Sequence, residues 1–226
     1  MHIVLFDMDH TLIGVDTIDE WVKFMHNHGY IDKQQLEKTQ QFNIDYQNGV
    51  LNIDDSYSFI TGLIKSLARQ ISLEKLISLR QIFFEKCLKS HISDQALHLL
   101  KEYQQDPNCI TVLITATVDF IAQPVFDFIP SLHHLIATTT NVHDEDVSQA
   151  IYGQPTIGVG KLEQYRLWHE QQNFNTKTIS TLYSDSINDL PLLSHVNHAI
   201  AVDPDTALAK VAYYNKWPTV SFINKK

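Results

Sequence analysis

Short apolar runs that alternate with helical patterns constrain the fold of this 226-residue chain more than any other feature. Each run is short enough to be a strand, and its continuous apolar character fits a strand that is buried on both faces. Strands that alternate with helices favour an α/β fold, in which helices cover both faces of one parallel sheet. The six runs are Ile3–Phe6, Ile110–Ile114, Leu135–Thr138, Ile179–Tyr183, Ala199–Val202 and Thr219–Ile223.

Residues 15–90 break this alternation, because they contain helical patterns and no convincing strand. Further helical patterns begin near Lys33, Asp54 and Leu73, and Ser72 is the predicted N-cap of the last one. We therefore predict a helical bundle inserted after the first strand, either as a lid over the carboxyl end of the sheet or as an extra core layer. The first pattern has its apolar residues at helical spacing, namely Ile18, Trp21, Val22 and Met25.

The predicted domain organisation follows from this insertion. Residues 1–14 and 91–226 form the predicted core, which carries the sheet, and residues 15–90 form the predicted cap. A chain of this length suits one large domain with a sizeable insertion.

The composition limits the classes of function that this chain can have. The net charge is −9 and the basic residues are scattered, which argues against a nucleic-acid surface. Two cysteines without metal-type spacing, Cys87 and Cys109, indicate buried, reduced thiols in a cytosolic protein. The sequence shows no signal-peptide pattern and no apolar stretch near the ~18 residues of a membrane span. We therefore expect a cytoplasmic protein.

Two carboxylates follow the first apolar run, in the segment HIVLFDMDHTL. Asp7 and Asp9 are two residues apart, so they would share one face of a strand. At ~4 Å and an effective dielectric of ~20, two such charges repel by about 4 kcal/mol. A shared proton, a cation or splaying at a turn could offset that repulsion.

A second acidic cluster follows the run at residues 179–183, in the segment TLYSDSINDLPLL. Asp185 ends this run and Asp189 lies four residues later. Parallel strands bring their carboxyl ends to one edge of the sheet, so up to four carboxylates are predicted to converge. Hard oxygen ligands without His or Cys spacing favour Mg²⁺.

Two further residues fit a phosphate site. Thr115 is predicted to end a strand, where its hydroxyl and nearby backbone N–H groups could hold an anion. Lys161 is predicted to open a helix, at the unfavourable end of the helix dipole, which indicates another task for its charge. A strand-end threonine and a solvated surface lysine are the ordinary alternatives.

In chain order these motifs are Asp-x-Asp-x-Thr, a strand-end Thr, a helix-start Lys and Ser-Asp-x-x-x-Asp. Together they resemble the haloacid dehalogenase superfamily, specifically its phosphoserine-phosphatase-like subfamily IB, and bacterial histidinol-phosphatase-like members. The tail AIAVDPDTALAKVAYYNKWPTVSF also resembles bacterial members of this group. The resemblance implies a Rossmann-like, doubly wound core with an inserted helical cap.

The resemblance also implies a Mg²⁺-dependent phosphatase that acts on a small phosphorylated metabolite. Asp7 would be the nucleophile, which forms an aspartyl-phosphate, and Asp9 the general acid/base. Thr115 and Lys161 would bind the phosphoryl group. Mg²⁺ would be held by Asp7, the backbone carbonyl of Asp9 and Asp185, with Asp189 positioning the metal or its waters.

Substrate choice is expected to reside in the predicted cap. Asp16 matches a glutamate that helps phosphoserine phosphatases to bind the substrate ammonium, so it is a candidate for binding an amine. Those enzymes also use a cap Arg for the substrate carboxylate, whereas residues 25–64 contain no Arg. An amine-bearing ester without a carboxylate, such as histidinol phosphate, fits better. Phosphoserine hydrolysis, phosphoryl transfer to an alcohol and ligand binding without catalysis are the alternatives. The sequence leaves a monomer or a homodimer open.

Overall fold

The computed structural model describes residues 1–48, 50–140, 154–172, 174 and 177–223 of the chain. Its centre is a six-stranded parallel sheet with the strand order β3-β2-β1-β4-β5-β6. All six apolar runs of the sequence lie in or overlap these strands. The strands are β1 (His2–Phe6), β2 (Cys109–Val118), β3 (His134–Thr138), β4 (Ile179–Ser184), β5 (His198–Val202) and β6 (Thr219–Val220).

Strand β1 lies in the middle of the sheet, between β2 and β4. Phe6 is paired with Leu113 on one side and with Tyr183 on the other. Successive side chains of a strand point to opposite faces, and β1 accordingly divides between two separate apolar clusters. Val4 and Phe6 belong to one cluster, and Ile3 and Leu5 to the other.

Helices cover both faces of the sheet, so the predicted doubly wound α/β fold is confirmed. The cluster around Val4 and Phe6 includes side chains of α1 and α3–α6, and the other includes side chains of α7–α9. The helices are α1 (Thr17–Asn27), α2 (Lys33–Gln47), α3 (Ile53–Gln70), α4 (Leu73–Phe83), α5 (Asp94–Gln104), α6 (Asp119–Phe128), α7 (Val159–Gln171), α8 (Leu190–Leu193) and α9 (Thr206–Asn215).

Helices α1–α4 fall within residues 15–90, where the described residues contain no strand. Side chains satisfy backbone N–H groups in the first turn of each helix, and Ser72 caps α4 as predicted. A π-helical turn (Phe84–Leu88) and a 3₁₀ turn (Lys89–His91) lead from α4 towards α5. The division into a predicted cap and a predicted core stays a prediction, and residues 141–153 of that core lie outside the described residues.

Two local predictions were wrong by a few residues. Strand β2 does not end at Thr115 but continues to Val118, with an irregular register against β3 between Ile114 and Val118. Lys161 does not open its helix, because α7 begins two residues earlier, after Gly158 at φ 55°. Among the described residues, no helix has both the length and the apolar composition that crossing a lipid bilayer requires.

Candidate active site

The carboxyl ends of β1 and β4 bring the two acidic clusters together. Asp7 directly follows β1, and its backbone N–H donates to the carbonyl of Tyr183 on β4 at 3.0 Å. Asp185 directly follows β4, and Asp189 ends the 3₁₀ turn Ile187–Asp189 after it. Central parallel strands place their carboxyl ends side by side, and this placement explains why residues far apart in sequence meet here.

Lys161 joins the nucleophile candidate to the second acidic cluster. Its ammonium lies 2.7 Å from Asp7 Oδ1 and 2.7 Å from Asp189 Oδ2. The Ser184 hydroxyl also donates to Asp189 Oδ2, at 2.7 Å. The Lys161 side chain is only 1% exposed, so its charge is withdrawn from water and compensated by two carboxylates. Lys161 is therefore an internal cation, and the alternative of a solvated surface lysine is excluded.

Asp9 is held by two threonine hydroxyls. Thr117 donates to Asp9 Oδ2 at 2.8 Å, and Thr17 donates through its hydroxyl and its backbone N–H, both at 3.2 Å. Thr17 is the first residue of α1 and Thr117 lies near the end of β2, so these contacts join the predicted cap to the predicted core. The carboxylate is thereby kept in one orientation.

Burial shifts the pKa of several of these acids upwards. For Asp7, burial raises the pKa and the Asp189 charge adds to this effect, whereas Lys161 acts in the opposite direction. Burial also holds the pKa of Asp9 and of Asp185 well above the usual carboxyl range, with repulsion from Asp16 and Asp7 respectively as the next cause. The crowding of carboxylates that the sequence predicts is therefore present.

A cavity of about 190 Å³ opens at this cluster. Core carboxylates and Thr115 line it, together with side chains of α1, α2 and α3 from the predicted cap. Asp16 also lines the cavity and acts as the N-cap of α1, where it accepts from the N–H of Asp19 at 2.7 Å. The predicted site residues on its wall are Asp7, Asp9, Asp16, Thr115 and Asp185.

Comparison with known proteins gives the family. The haloacid dehalogenase-like hydrolase family matches residues 4–194. A histidinol-phosphatase of Neisseria meningitidis serogroup C (strain 8013) is 31% identical over 225 residues, which cover 98% of this chain and 99% of that protein. This chain belongs to the haloacid dehalogenase-like hydrolases. Because its relatives in this family include a histidinol-phosphatase and a phosphoserine phosphatase, we conclude that it is a phosphatase.

Solved structures agree with this haloacid dehalogenase-like fold. A protein of unknown function from Bordetella pertussis Tohama I has a TM-score of 0.87 and 26% identity, covering 98% of this chain and 99% of that one. A phosphoserine phosphatase, solved as a phospho-aspartyl intermediate analogue, has a TM-score of 0.64 and 18% identity, covering 99% and 94%. The similarity to this phosphoserine phosphatase, at 18% identity, shows a shared fold only.

Phosphatases of the haloacid dehalogenase family generally use Mg²⁺, and the donor atoms of this site fit such an ion. Asp7 and Asp185 line the cavity, and the Thr11 hydroxyl donates to Asp185 Oδ1 at 3.1 Å. Among the described residues, no three His, Cys, Asp or Glu side chains form a metal-binding group. A cation here would therefore also need backbone or water oxygens, which suits Mg²⁺ because it keeps several waters.

Sequence reasoning missed several residues that shape this haloacid dehalogenase-like site. Thr17 and Thr117 bind Asp9, and Ser184 binds Asp189. Tyr46 lines the cavity from α2, and burial, reinforced by the Asp189 charge, raises the pKa of its phenol. The hydroxyls beside predicted strand ends were visible in the sequence, but no local pattern indicates which carboxylate each one meets.

Proposed function

We propose that this haloacid dehalogenase-like phosphatase is a Mg²⁺-dependent, cytoplasmic phosphomonoester hydrolase that acts on a small phosphorylated metabolite. The observation that carries the proposal is the environment of Asp7. One carboxylate oxygen of Asp7 contacts Lys161 at 2.7 Å, and the residue lines the cavity. A carboxylate held by a cation and open to a cavity suits attack on phosphorus, since the cation offsets the charge of the phosphate.

In the proposed reaction, a carboxylate oxygen of Asp7 forms a bond to phosphorus while the bond to the ester oxygen breaks. Asp9 gives its proton to the departing alkoxide, and the raised pKa of Asp9 supports this role because the acid must start protonated. Asp9 then accepts a proton from the water that attacks the aspartyl-phosphate. Inorganic phosphate leaves and the Asp7 carboxylate is restored.

The remaining site residues would neutralise and orient the phosphoryl group. We assign Thr115 and Lys161 to its oxygens. Asp7, the backbone carbonyl of Asp9 and Asp185 would hold Mg²⁺, while Asp189 would act from the second shell of ligands. When bound, the ion would supply positive charge to phosphate oxygens. In this scheme residues 15–90 act as the cap and residues 1–14 and 91–226 as the catalytic core.

We further propose that the preferred ester carries an amine and lacks a carboxylate. The described cavity wall includes five aspartates but neither Lys nor Arg, so a substrate carboxylate would find no permanent cation there. Asp16 could pair with an ammonium or imidazolium group instead. Histidinol phosphate has this chemistry, and the Neisseria relative is named a histidinol-phosphatase. Phosphoserine is the second candidate, because relatives and structural neighbours include phosphoserine phosphatases.

The test is phosphate release from a panel of esters, with Mg²⁺ and with EDTA. The panel contains histidinol phosphate, phosphoserine, sugar phosphates and nucleoside monophosphates, and an acceptor alcohol is added in one arm to detect phosphoryl transfer. We expect Mg²⁺-dependent release that is fastest with histidinol phosphate and is lost in Asp7→Asn. Asp16→Asn should raise KM for amine-bearing esters selectively, since Asn still caps a helix but carries no charge.

The matched control is Asp32→Asn, which keeps the exposed N-cap of α2 and lies outside the described cavity wall. Wild-type protein that binds Mg²⁺ but releases phosphate from no ester would contradict the hydrolase proposal and favour a binding protein. A preference for phosphoserine would contradict the substrate proposal alone.

A further inference from the structure

The segment that carries Asp185 is hydrogen-bonded at two points to one residue, Asp205, which lies just before α9. The backbone carbonyl of Asp185 accepts from the backbone N–H of Asp205 at 2.9 Å. Two residues further on, the backbone N–H of Ile187 donates to Asp205 Oδ2 at 2.7 Å. Asp205 therefore binds the chain on both sides of Ser186, once through its backbone and once through its side chain.

The other carboxylate oxygen of Asp205 caps α9. Asp205 Oδ1 accepts from the backbone N–H groups of Ala207 and Leu208, both at 2.8 Å. The helix is itself fixed to the sheet, because Leu208 and Ala212 are buried in the apolar cluster on one of its faces. The two oxygens of one side chain thus join the segment after β4 to a helix that is packed on the sheet.

The segment after β4 needs such a contact because the sheet ends before it. The last residue pair between β4 and β5 is Ser184 with Ala201, and Asp185 lies one residue beyond it. Ile187 begins a 3₁₀ turn, and the first N–H groups of a helical turn have no partner within it. Asp205 supplies the missing acceptor for Ile187 from outside the turn.

Capping of α9 alone would not require this arrangement. An N-cap side chain binds N–H groups of its own helix, and Oδ1 already does so here. Asp203, two residues earlier, shows the contrast, because its carboxylate accepts from the N–H of Phe222 at 2.8 Å, in the segment after β6. Asp205 lines the cavity together with Asp185, whereas Asp203 is not among the described residues of the cavity wall.

We propose that Asp205 is a positioning residue for the Mg²⁺ site, which acts by fixing the backbone on both sides of Asp185. This inference rests on the proposed function, in which Asp185 helps to hold the ion. Residues that orient metal ligands commonly change metal affinity by about 10- to 100-fold when they are replaced. The affinity for Mg²⁺ would then depend on α9, although Asp205 itself is not assigned as a ligand.

The test is Asp205→Asn. An amide has one acceptor oxygen, so it can serve α9 or Ile187 but not both, and Asn is a favoured N-cap. We therefore expect the cap to remain and the contact with Ile187 to be lost. The Mg²⁺ dissociation constant, obtained from the rise of Tm with Mg²⁺ concentration in the absence of substrate, should increase roughly 10-fold.

Activity gives a second readout of the same change. The Mg²⁺ concentration that gives half-maximal phosphate release should increase by the same factor. At saturating Mg²⁺, kcat should stay within about threefold of wild type, because every assigned ligand of the ion is still present. A change that only loosened the fold would lower Tm without Mg²⁺ and would leave the dissociation constant unchanged.

Asp203→Asn is the matched control, because it makes the same chemical change two residues away and affects only the contact with Phe222. Its Mg²⁺ dissociation constant should stay close to that of wild type. Asp205→Ser provides a second route if Asp205→Asn folds poorly, since Ser also caps helices but has a single side-chain oxygen. It should weaken Mg²⁺ binding as Asp205→Asn does. Thermal melting without Mg²⁺ checks that each variant is folded.

The outcomes separate this inference from the proposed function. If wild type responds to Mg²⁺ and both Asp205 variants keep its dissociation constant, Asp205 only caps α9, so the inference fails and the proposed function stands. An equal increase in Asp203→Asn would also contradict the inference, because the effect would then not be specific to Asp205. A wild type whose Tm and activity do not respond to Mg²⁺ overturns the Mg²⁺-dependent function itself and the inference with it.

Discussion

At the residue scale, Lys161 combines almost complete burial with two ion pairs of 2.7 Å. Burial alone would lower the pKa of its ammonium, but the charges of Asp189 and Asp7 outweigh that effect and raise it. The cation and the carboxylates therefore depend on each other, because removing one partner leaves an uncompensated buried charge.

We expect Lys161→Met to lower the free energy of unfolding by about 3–5 kcal/mol at pH 7.5, since Asp7 and Asp189 would be buried without a cation. The loss should be smaller at pH 5, because burial raises the pKa of Asp7 and protonation there removes the charge of that residue. Urea unfolding at both pH values measures this. Lys89→Met is the control, because its pair with Glu85 is 41% and 48% exposed and should contribute less than about 1 kcal/mol. Equal losses in the two variants would contradict a buried charge cluster.

Single residues also show which features of the site could be predicted from the sequence. Asp7 and Asp185 were predictable, because an apolar run that ends in a carboxylate is a local pattern and parallel strands align their ends. The contacts of Asp9 with Thr17 and Thr117 were not, because they depend on how α1 sits against the end of β2. The position of Tyr46 could not be predicted for the same reason, because no local sequence pattern indicates where α2 packs.

At the element scale, the start of α7 sets the position of Lys161. Gly160 is packed so closely that an added Cβ would lie 2.1 Å from the carbonyl oxygen of Pro155. Either the helix or the segment before it would have to shift to accept a side chain. The position of Lys161 thus depends on the absence of a side chain at Gly160.

We expect Gly160→Ala to destabilise the protein by roughly 1–3 kcal/mol, the usual cost of overpacking, and to reduce kcat because Lys161 is displaced. Gly62→Ala is the matched control, because an added Cβ in α3 meets nothing within 4 Å. That change should stabilise the helix by roughly 0.5–1 kcal/mol. Urea unfolding and phosphate release measure both effects. Unchanged stability in Gly160→Ala would mean that α7 adapts freely.

The presence of the strands and helices was predicted better than the residues at which they end. The helices of the predicted cap start close to the expected residues, because N-cap residues such as Ser72 can be recognised from the local sequence. The end of β2 was misplaced, because Val118 pairs with Thr138 across an irregular register that apolar patterning does not encode.

At the scale of the whole molecule, the site collects buried acids from the segments that directly follow β1 and β4. The folded-state pKa values of Asp7, Asp9 and Asp185 are raised, so the folded form holds more protons than the unfolded form above about pH 4. Their contribution to stability therefore decreases as the pH rises through their raised pKa values. A bound cation would reverse this decrease.

We expect Mg²⁺ to raise Tm more at pH 7.5 than at pH 5, because the ion binds ionised carboxylates of the folded form. Asp185→Asn should remove most of this Mg²⁺ effect and should flatten the fall of Tm with pH. Comparison with this variant is necessary, because some histidines with lowered pKa contribute in the opposite direction, namely His2, His134 and His195. An equal Mg²⁺ shift in wild type and variant would place the ion elsewhere.

The position of β1 between β2 and β4 has a consequence for synthesis on the ribosome. β1 emerges long before its partners, which begin at Cys109 and Ile179. Until then its apolar segment has two open edges, a condition that favours wrong association. Helices α1–α4 emerge in the interval and form from contacts close in sequence. A chain that stops before β4 therefore carries the proposed nucleophile, Asp7, without Asp185 and Asp189. Interrupted translation should then yield inactive, aggregation-prone products and no partly active enzyme.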